Sequence, residues 1–355
     1  MSEAPVALPA SGEESVRIER ARCYAALDLG TNNCRLLIAT PNRGGGFRIV
    51  EAFSRIVRLG EGLTASGQLQ PEAMERAIAA LRICAEKVRR RQVTRLRAVA
   101  TQACRSASNG PEFIRRVEAE TGLKLTIIPP DEEARLSVAG CANLLDPEAE
   151  AALVIDVGGG STELSWVSLI EDGRPRAKPE VIAWLSIPIG VVTLAERFPE
   201  PEDAKPAWYK AMADAVKAEI ARFGAADPLR PLFQQGRAHM VGTSGAITSL
   251  AGLHLGLKRY ERARVDGLWM TAGDCRAAAD RLLELGPAGR AAEPCIGKDR
   301  ADLVLAGAAI LQAVQDLWPC ERVRVADRGL REGMLMALMK NRRRRRRRRG
   351  SGETR

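Results

Sequence analysis

The chain has 355 residues, 46% of them hydrophobic and 28% charged, a length that predicts two domains at roughly 150 residues each. Its net charge is +10, but the run of eight arginines Arg342–Arg349 leaves only +2 for the remainder. The eight cysteines include no CxxC pair, which argues against a disulfide framework and a zinc site, and two histidines are too few for a His-rich metal site. The sequence shows no signal peptide and no long apolar stretch, which predicts a cytoplasmic protein without a membrane span.

Strands and helices alternate along the first half of the chain. Residues 1–21 have no hydrophobic period and are expected to form a flexible N-terminal lead. Strands are predicted at 24–30, 34–39, 47–53, 95–101 and 125–128, with a hairpin turn at Gly44–Gly46. Helices are predicted over 71–88, from Pro111 to just before Gly122, and from Asp131 to about Leu145.

The second half follows the same alternation. Strands are predicted at 152–157, 161–168, 238–242 and 323–326, and helices over 206–224, from 246, over 271–286, 300–317 and 329–340. Such alternation indicates α/β layers. Beyond residue 340 we expect an extended, disordered poly-arginine tail over 341–355, because like charges repel along the chain.

One pattern occurs once in each half. Leu27-Asp-Leu-Gly-Thr-Asn-Asn-Cys-Arg-Leu and Ile155-Asp-Val-Gly-Gly-Gly-Ser-Thr-Glu-Leu each combine an apolar strand, an aspartate, a glycine turn with a hydroxyl residue, and a second apolar strand. The two copies are separated by about 128 residues. This internal repeat predicts that the two domains share one fold.

The repeated turns have the chemistry of a phosphate site. A glycine turn presents several backbone N–H groups to an anion, and a residue without Cβ lets a phosphate approach closely. Thr31 and Asn32 add side-chain donors in one copy, and Ser161 and Thr162 in the other. The aspartate that ends each strand is a hard oxygen ligand suited to Mg²⁺ beside a phosphate. A single copy is better explained as an ordinary hairpin turn, whereas two copies favour two loops that hold a phosphate chain from both sides.

A third glycine turn, Val241-Gly-Thr-Ser-Gly-Ala, follows a strand and opens a helix. Such a turn aims N–H groups at an anion, although a plain strand-to-helix turn with a Ser or Thr N-cap explains it as well. Both interpretations stay open at this point.

Seven motifs in a fixed order carry a resemblance to a known family. They are Asp28-Leu-Gly-Thr-Asn, Ala100-Thr-Gln-Ala-Cys-Arg-Ser-Ala-Ser-Asn, Glu132-Glu-Ala-Arg, Asp156-Val-Gly-Gly-Gly-Ser-Thr-Glu, Ile187-Pro-Ile-Gly, Gly242-Thr-Ser-Gly and Gly329-Leu-Arg-Glu-Gly. Across about residues 22–340 the chain resembles the exopolyphosphatase / guanosine pentaphosphate phosphohydrolase family. The resemblance implies duplicated actin-like ATPase (ribonuclease H-like) α/β domains with an interdomain cleft: domain I over 22–146, domain II over 147–326, and a C-terminal helix over 327–340 that packs back on domain I.

The resemblance also implies roles for individual residues. Glu133 matches the catalytic glutamate that orients and deprotonates the attacking water, and Arg105 matches an arginine that contacts the phosphate near the reacting end. Asp156 and Glu163 match acids that bind metal and orient water. The phosphate-binding residues so predicted are Asp28, Gly30, Thr31, Asn32, Gly158, Gly159, Gly160, Ser161, Thr162, Gly242, Thr243, Ser244 and Gly245, and the predicted metal ligands are Asp28, Asp156 and Glu163.

The main functional hypothesis is an Mg²⁺-dependent exopolyphosphatase that removes the terminal phosphate of inorganic polyphosphate. Guanosine pentaphosphate is the alternative substrate for the same chemistry. A nucleotide-binding actin-like ATPase and a non-catalytic polyanion-binding protein are alternatives of other classes. Longer family members carry C-terminal helical domains for which this chain is too short, so chain-length preference, processivity and a homodimer stay open.

The arginine run Arg342–Arg349 has two interpretations. It is either a low-complexity tail without a role or an electrostatic tether for a polyanion. Polyphosphate and RNA would be attracted equally well, so the sequence does not separate these two partners. A tether predicts weaker binding of long-chain polyphosphate after residues 341–355 are deleted.

Overall fold

The computed structural model describes residues 22–42, 46–203, 206–222 and 229–350, with side chains through residue 340. The predicted lead over 1–21, residues 351–355 and most of the predicted turn at Gly44–Gly46 lie outside the described residues. The first half contains β1 (Cys23–Leu29), β2 (Asn33–Pro41), β3 (Phe47–Ile56), α1 (Leu63–Ser66), α2 (Pro71–Arg90), β4 (Val93–Ala100), α3 (Gln102–Ser106), α4 (Gly110–Thr121), β5 (Leu125–Ile127) and α5 (Pro130–Cys141).

The second half is longer. It contains β6 (Ala151–Val157), β7 (Thr162–Glu171), β8 (Arg174–Ile187), α6 (Val191–Arg197), α7 (Pro206–Arg222), α8 (Arg230–Gln234), β9 (Ala238–Thr243), α9 (Gly245–His254), α10 (Arg262–Val265), β10 (Trp269–Thr271), α11 (Ala272–Ala292), α12 (Val304–Leu317), β11 (Arg322–Ala326) and α13 (Leu330–Gly350). None of the described helices combines the length and the apolar character that crossing a bilayer requires.

The two sheets have the same strand arrangement. The first sheet has the order β3-β2-β1-β4-β5, and the second has β8-β7-β6-β9-β11 with β10 added at the edge. In each, three antiparallel strands lead to a parallel pair, β1 with β4 and β6 with β9. The duplication inferred from the repeat is therefore confirmed, strand for strand, in the topology of the two sheets.

Each sheet has its own core, and two helices join the halves. In the first half, Leu27, Leu36 and Ile78 belong to one buried cluster; in the second, Ile155 and Leu311 belong to another.

Helix α5 follows the first sheet, yet its Val138 and Cys141 pack against Val154 of the second. Helix α13 does the opposite: it follows the second sheet, but its Met334 and Leu335 pack against Tyr24 and Leu37 of the first sheet.

These two helices cross at van der Waals contact. A Cβ on Gly140 of α5 would lie 1.9 Å from the carbonyl oxygen of Gly329, and a Cβ on Gly333 of α13 would lie 2.0 Å from that of Leu136. Only glycine fits at either position, so the crossing fixes how the two halves are joined. The domain boundary at residues 146 and 147 stays a prediction.

The structure differs from the sequence-based expectations in several places, which include the unpredicted short helices α1, α3, α8 and α10 and the short strand β10. The long strand β8 and the short helix α6 lie where no element was predicted. The helix expected over 271–286 continues to Ala292 across a kink at Gly286, where φ is +61° and a proline follows. Helix α13 continues to Gly350 through the segment expected to be extended, because arginine is a good helix former and an existing helix extends at low cost.

Candidate active site

The halves enclose a cleft of about 900 Å³. Its lining is built from the turns that follow β1, β6 and β9 and from the first turn of α13. Because β1 and β4, and β6 and β9, run parallel in sheets of the same topology, the carboxyl ends of these strands open towards one crevice. The predicted residues that line it are Asp28, Gly30, Thr31, Asn32, Glu133, Asp156, Gly158, Gly159, Gly160, Ser161, Thr243, Ser244 and Gly245.

Two aspartates occupy equivalent positions in the duplicated hairpins. Asp28 pairs with Arg35 across β1 and β2, and Asp156 pairs with Glu163 across β6 and β7. The turn after each aspartate is closed in the same way, by a backbone bond of 2.9 Å from Gly30 N to the Asn33 carbonyl and from Gly158 N to the Ser161 carbonyl. The same backbone device therefore presents a carboxylate from each half to the cleft.

The two glycine turns are in direct contact. A Cβ on Gly159 would lie 3.0 Å from the backbone nitrogen of Asn32, and a Cβ on Gly160 would lie 2.8 Å from Oγ1 of Thr31. Any larger residue at these positions would push the turns apart. This contact places the backbone N–H groups of both halves on one side of the cleft, where they can surround a phosphate group.

The third turn contributes Ser244 and Gly245 at the start of α9. The Ser244 hydroxyl caps this helix by accepting hydrogen bonds of 3.1 Å from the backbone nitrogens of Ala246 and Ile247. Its interpretation as an N-cap is thus confirmed, and the helix N-terminus also faces the cleft. The Thr243 hydroxyl lines the cleft as well, but it donates a 2.8 Å hydrogen bond to the Arg328 carbonyl.

Two residues predicted to bind phosphate point elsewhere. The Thr162 hydroxyl donates a 2.7 Å hydrogen bond to the Ile189 carbonyl and is fully buried. Gly242 lies under Ile247, whose Cδ1 would be 2.7 Å from an added Cβ, so this glycine serves packing. Neither residue lines the cleft. Successive residues of a strand face opposite sides of the sheet, and the neighbours Ser161 and Thr243 are the ones that face the cleft.

Glu133 is held in place at the edge of the cleft. Pro129 and Pro130 start α5, which puts Glu133 in the first turn, where the helix dipole favours a negative charge. Nη1 of Arg105 lies 3.2 Å from Oε2 of Glu133 and also donates a 2.7 Å hydrogen bond to the Ile128 carbonyl.

The second terminal nitrogen of the Arg105 guanidinium, Nη2, also has a hydrogen-bond partner. It donates a 2.6 Å hydrogen bond to Oε1 of Gln102, and the guanidinium is not part of the cleft lining. Arg105 therefore orients the Glu133 carboxylate from behind. The predicted direct contact between this arginine and a phosphate is not part of this geometry.

The acids of the site raise one another's pKa. Burial raises the pKa of Glu133 well above its usual value, and the nearby Glu163, Asp156 and Asp28 raise it further, against the opposing charge of Arg105. Burial, followed by the charge of Asp156, raises the pKa of Glu163 to about 7.

Burial likewise raises the pKa of Asp156 to about 6, although the hydrogen bond from Ser137 lowers it, and burial raises the pKa of Asp28. Ser186 donates a 2.8 Å hydrogen bond to Oε1 of Glu163. Acids in a cleft whose pKa values are raised by burial and by one another are typical of a functional site.

The predicted metal ligands do not form a ready-made coordination sphere. Within the described ranges, no group of three or more His, Cys, Asp or Glu side chains could hold a metal ion by itself. Asp28 and Asp156 line the cleft, whereas Glu163 is 2% exposed and lies behind Asp156 against Ser186. This donor set still fits Mg²⁺, which is usually held by one or two carboxylates, several waters and the phosphates of a substrate.

Two arginines that received no role from the sequence also line the cleft. Among the described residues, neither Arg35 nor Arg331 has a carboxylate or carbonyl partner in hydrogen-bonding distance, and both lower the pKa of Asp28. The register shows why Arg35 belongs to the site, since it faces Asp28 directly across the hairpin. Two guanidinium groups without a protein partner can bind phosphate oxygens.

Comparison with known proteins now decides the family. Residues 37–342 match the Ppx/GppA phosphatase family. The chain belongs to this family. Members of the Ppx/GppA family are phosphohydrolases, and the resemblance inferred from the seven motifs is confirmed.

Solved Ppx/GppA structures agree with this assignment. The chain is 30% identical to the Aquifex aeolicus Ppx/GppA enzyme, covering 89% of this chain and 99% of that one, with a TM-score of 0.70. It is 29% identical to an exopolyphosphatase-like protein, covering 90% and 98%, with a TM-score of 0.77. An exopolyphosphatase from Cytophaga hutchinsonii shares 23% identity over 90% and 98% of the chains with a TM-score of 0.78, which shows a common fold.

The contact between Gly190 and the second glycine turn gives a testable prediction. A Cβ on Gly190 would lie 2.4 Å from the carbonyl carbon of Gly159 and 2.5 Å from the nitrogen of Gly160, both rigid backbone atoms. We expect Gly190→Ala to displace this turn, lowering phosphohydrolase kcat/KM by about tenfold or more and stability by about 1–3 kcal/mol. The measurements are steady-state kinetics and urea denaturation.

Gly273→Ala is the matched control. Gly273 lies in the first turn of α11, where an added Cβ would meet Oγ1 of Thr271 at an ordinary 3.5 Å. We expect normal activity and equal or slightly higher stability from this variant. Full activity in Gly190→Ala would show that the second turn does not need its present position.

Proposed function

We propose that this Ppx/GppA family member is an exopolyphosphatase that hydrolyses the terminal phosphoanhydride bond of inorganic polyphosphate with Mg²⁺. The observation that carries the proposal is the buried Glu133 carboxylate, held by Arg105 at the edge of a cleft in which two glycine turns meet. Phosphoryl transfer needs a positioned nucleophile, neutralised charge and alignment, and this arrangement supplies a group for each requirement.

The chain's own residues divide the work. The two glycine turns bind the oxygens of the terminal phosphate through the backbone N–H groups of Gly159–Ser161 and Thr31–Asn32, which do not close the turns. Glu133 orients a water molecule and accepts its proton while the water oxygen attacks the terminal phosphorus. The bond from that phosphorus to the bridging oxygen breaks, and the shortened polyphosphate leaves with the bridging oxygen.

Asp156 and Asp28 would hold a divalent cation at the phosphates, with Glu163 supporting Asp156 from behind. A cation bound there supplies positive charge to the non-bridging and leaving oxygens. Ser137 donates a hydrogen bond to the Asp156 carboxylate and Ser186 donates one to the Glu163 carboxylate, and these bonds hold both acids in place.

The character of the cleft favours an extended chain of phosphates over a nucleotide. Five basic side chains on its walls form no ion pair with another described residue: Arg35, Arg55, Lys298, Arg300 and Arg331. Tyr260 is the only aromatic side chain among the described lining residues, so the cleft offers little surface on which a guanine ring could stack. A row of cations in a cleft with few aromatic side chains matches a linear polyanion.

A substrate comparison tests the proposal. Purified protein with Mg²⁺ receives polyphosphate, guanosine pentaphosphate or ATP, and phosphate release is followed. We expect kcat/KM for polyphosphate to exceed that for the two nucleotides by about tenfold or more, since only polyphosphate continues as an anion along the cleft. A higher kcat/KM for guanosine pentaphosphate would assign the site to that substrate, and a preference for ATP would remove both assignments.

A further inference from the structure

The arginine run is attached to a helix that begins inside the cleft. Gly329, Leu330 and Arg331 at the start of α13 line the cleft. The helix then crosses the first sheet, and its last residue with a described side chain, Lys340, is exposed. The run Arg342–Arg349 follows almost immediately in the sequence.

The direction of α13 is fixed by its contacts. Met334 and Leu335 are fully buried in a cluster that includes Tyr24 at the start of β1, and Leu338, Met339 and Phe47 at the start of β3 pack against this same cluster. The other end of β3 carries Arg55, which lines the cleft. Helix α13 therefore runs from the cleft to the opposite end of the first sheet.

The arginine run begins only a short distance from the cleft, measured along α13. Lys340 lies nine residue steps after Arg331, which at 1.5 Å per step is roughly 14 Å along the helix axis. The buried contacts of α13 anchor the beginning of the arginine run at this distance from the cleft. A flexible linker would leave that distance undefined, whereas the packed helix sets it.

Positive charge is concentrated in the part of the sequence that follows Lys340. The run holds eight of the positive charges of a chain whose net charge is +10. The exposed Arg48 lies on β3 next to Phe47, at the end of this strand far from the cleft, and Arg55 stands at its cleft end. A linear polyanion leaving the cleft therefore meets basic residues at both ends of this strand.

We propose that Arg342–Arg349 is a second binding site for the substrate, which holds the distal part of a long polyphosphate while its terminal phosphate lies in the cleft. This inference rests on the proposed exopolyphosphatase function. Polyphosphate is favoured over RNA because the run is tied by a packed helix to a cleft that accepts the end of a phosphate chain. Both anions would release counterions on binding, so charge alone does not distinguish them.

The second site changes kinetics in a way that depends on chain length. A long polyphosphate held at both sites dissociates more slowly, because release from one site leaves it tethered at the other. Its KM is therefore low while kcat, which depends on the cleft, is unaffected. Tripolyphosphate is too short to reach from the cleft to the run and gains nothing.

The test replaces all eight arginines Arg342–Arg349 with glutamine, which keeps helix propensity but removes the charge. We expect KM for long-chain polyphosphate to rise roughly tenfold to a hundredfold in moderate salt, with KM for tripolyphosphate and both kcat values unchanged. The dependence of KM on salt should weaken in the same variant. Replacement of the same residues with lysine is the control, and it should keep a low KM.

Two outcomes would overturn the proposal. The first is an unchanged KM for long-chain polyphosphate in the glutamine variant. The second is a loss of single-stranded RNA binding in that variant without any change for polyphosphate, which would assign the run to nucleic acid. Failure of the exopolyphosphatase function is distinguished by tripolyphosphate and long-chain polyphosphate both remaining intact with the unmodified protein.

Discussion

Replacing Glu133 with glutamine is expected to lower kcat for polyphosphate by about 10²–10⁴-fold. The amide keeps the shape of the side chain and still accepts the 3.2 Å contact from Arg105. It cannot take a proton from the attacking water, so the barrier rises while the bound substrate is held as before. Binding of polyphosphate, measured by fluorescence anisotropy with a labelled chain, should change by less than about threefold.

Glu132→Gln is the matched control on the same helix. Glu132 is the neighbouring residue in the sequence and pairs with Arg97 outside the cleft lining. Its replacement removes one partly exposed ion pair and should leave kcat nearly unchanged. Full activity in Glu133→Gln would remove Glu133 from its role, and equal losses in both variants would point to a general disturbance of α5.

The repeat in the sequence explains why the fold was predictable. In both copies the residue seven positions after the aspartate lies opposite it in the hairpin, Arg35 opposite Asp28 and Glu163 opposite Asp156. Equal spacing means equal turns, and equal turns imply equal strand pairing. The sheet order, the cleft and the meeting of the two glycine turns all follow from placing two such units face to face.

Other features depend on contacts between residues distant in sequence. Strand β8 was not predicted because its first part, Arg174–Glu180, is rich in charge and proline, as suits an edge strand, and weak in apolar alternation. The direction of Arg105 towards Glu133 is set by Gln102 and by the carbonyl of Ile128. A motif can give the residue, but only packing gives the direction in which its side chain points.

The position of Arg331 shows the same limit. Its motif, Gly329-Leu-Arg-Glu-Gly, was visible in the sequence, yet the role of the arginine depends on α13 crossing to the other half. That crossing requires Gly333 of α13 to meet the carbonyl of Leu136 on α5. Glycines spaced for a helix crossing look no different in sequence from glycines that end a helix.

Replacing Asp156 with asparagine is expected to stabilise the protein while removing most of its activity. Burial raises the pKa of Asp156 from 3.8 to about 6, so an ionised carboxylate at this position is unfavourable in the folded state. The amide carries no charge and still accepts the hydrogen bond from Ser137. At pH 7.5 without divalent cations, the free energy of unfolding should rise by about 3 kcal/mol, and kcat with Mg²⁺ should fall by about 10²-fold or more.

The sign of the pH dependence follows from the raised pKa values of Asp156, about 6, and Glu163, about 7. In the unfolded chain both groups lose their protons near pH 4, whereas the folded protein keeps them up to about pH 6–7. Between these limits the folded state binds more protons, so the stability of the wild type falls as the pH rises. Urea denaturation at several pH values between 5 and 8 should show a shallower fall in Asp156→Asn.

Glu51→Gln is the control with the opposite sign. Hydrogen bonds from Lys87 and Arg91 lower the pKa of Glu51 to about 2, so its charge stabilises the fold above the usual pKa and is lost only in strong acid. Its replacement should lower stability at pH 7.5 and leave kcat unchanged, since it lies on the side of β3 that faces α2.

The effect of Mg²⁺ on stability tests whether the raised pKa values of the buried acids reflect a metal-binding role or only burial. If the buried acids are kept to receive positive charge, Mg²⁺ should raise the stability of the wild type more than that of Asp156→Asn, because only the wild type offers the carboxylate to the cation. A variant that is less stable than the wild type at pH 7.5 in the absence of divalent cations would contradict this account. It would mean that the ionised Asp156, with its hydrogen bond from Ser137, contributes more to folding than its burial costs.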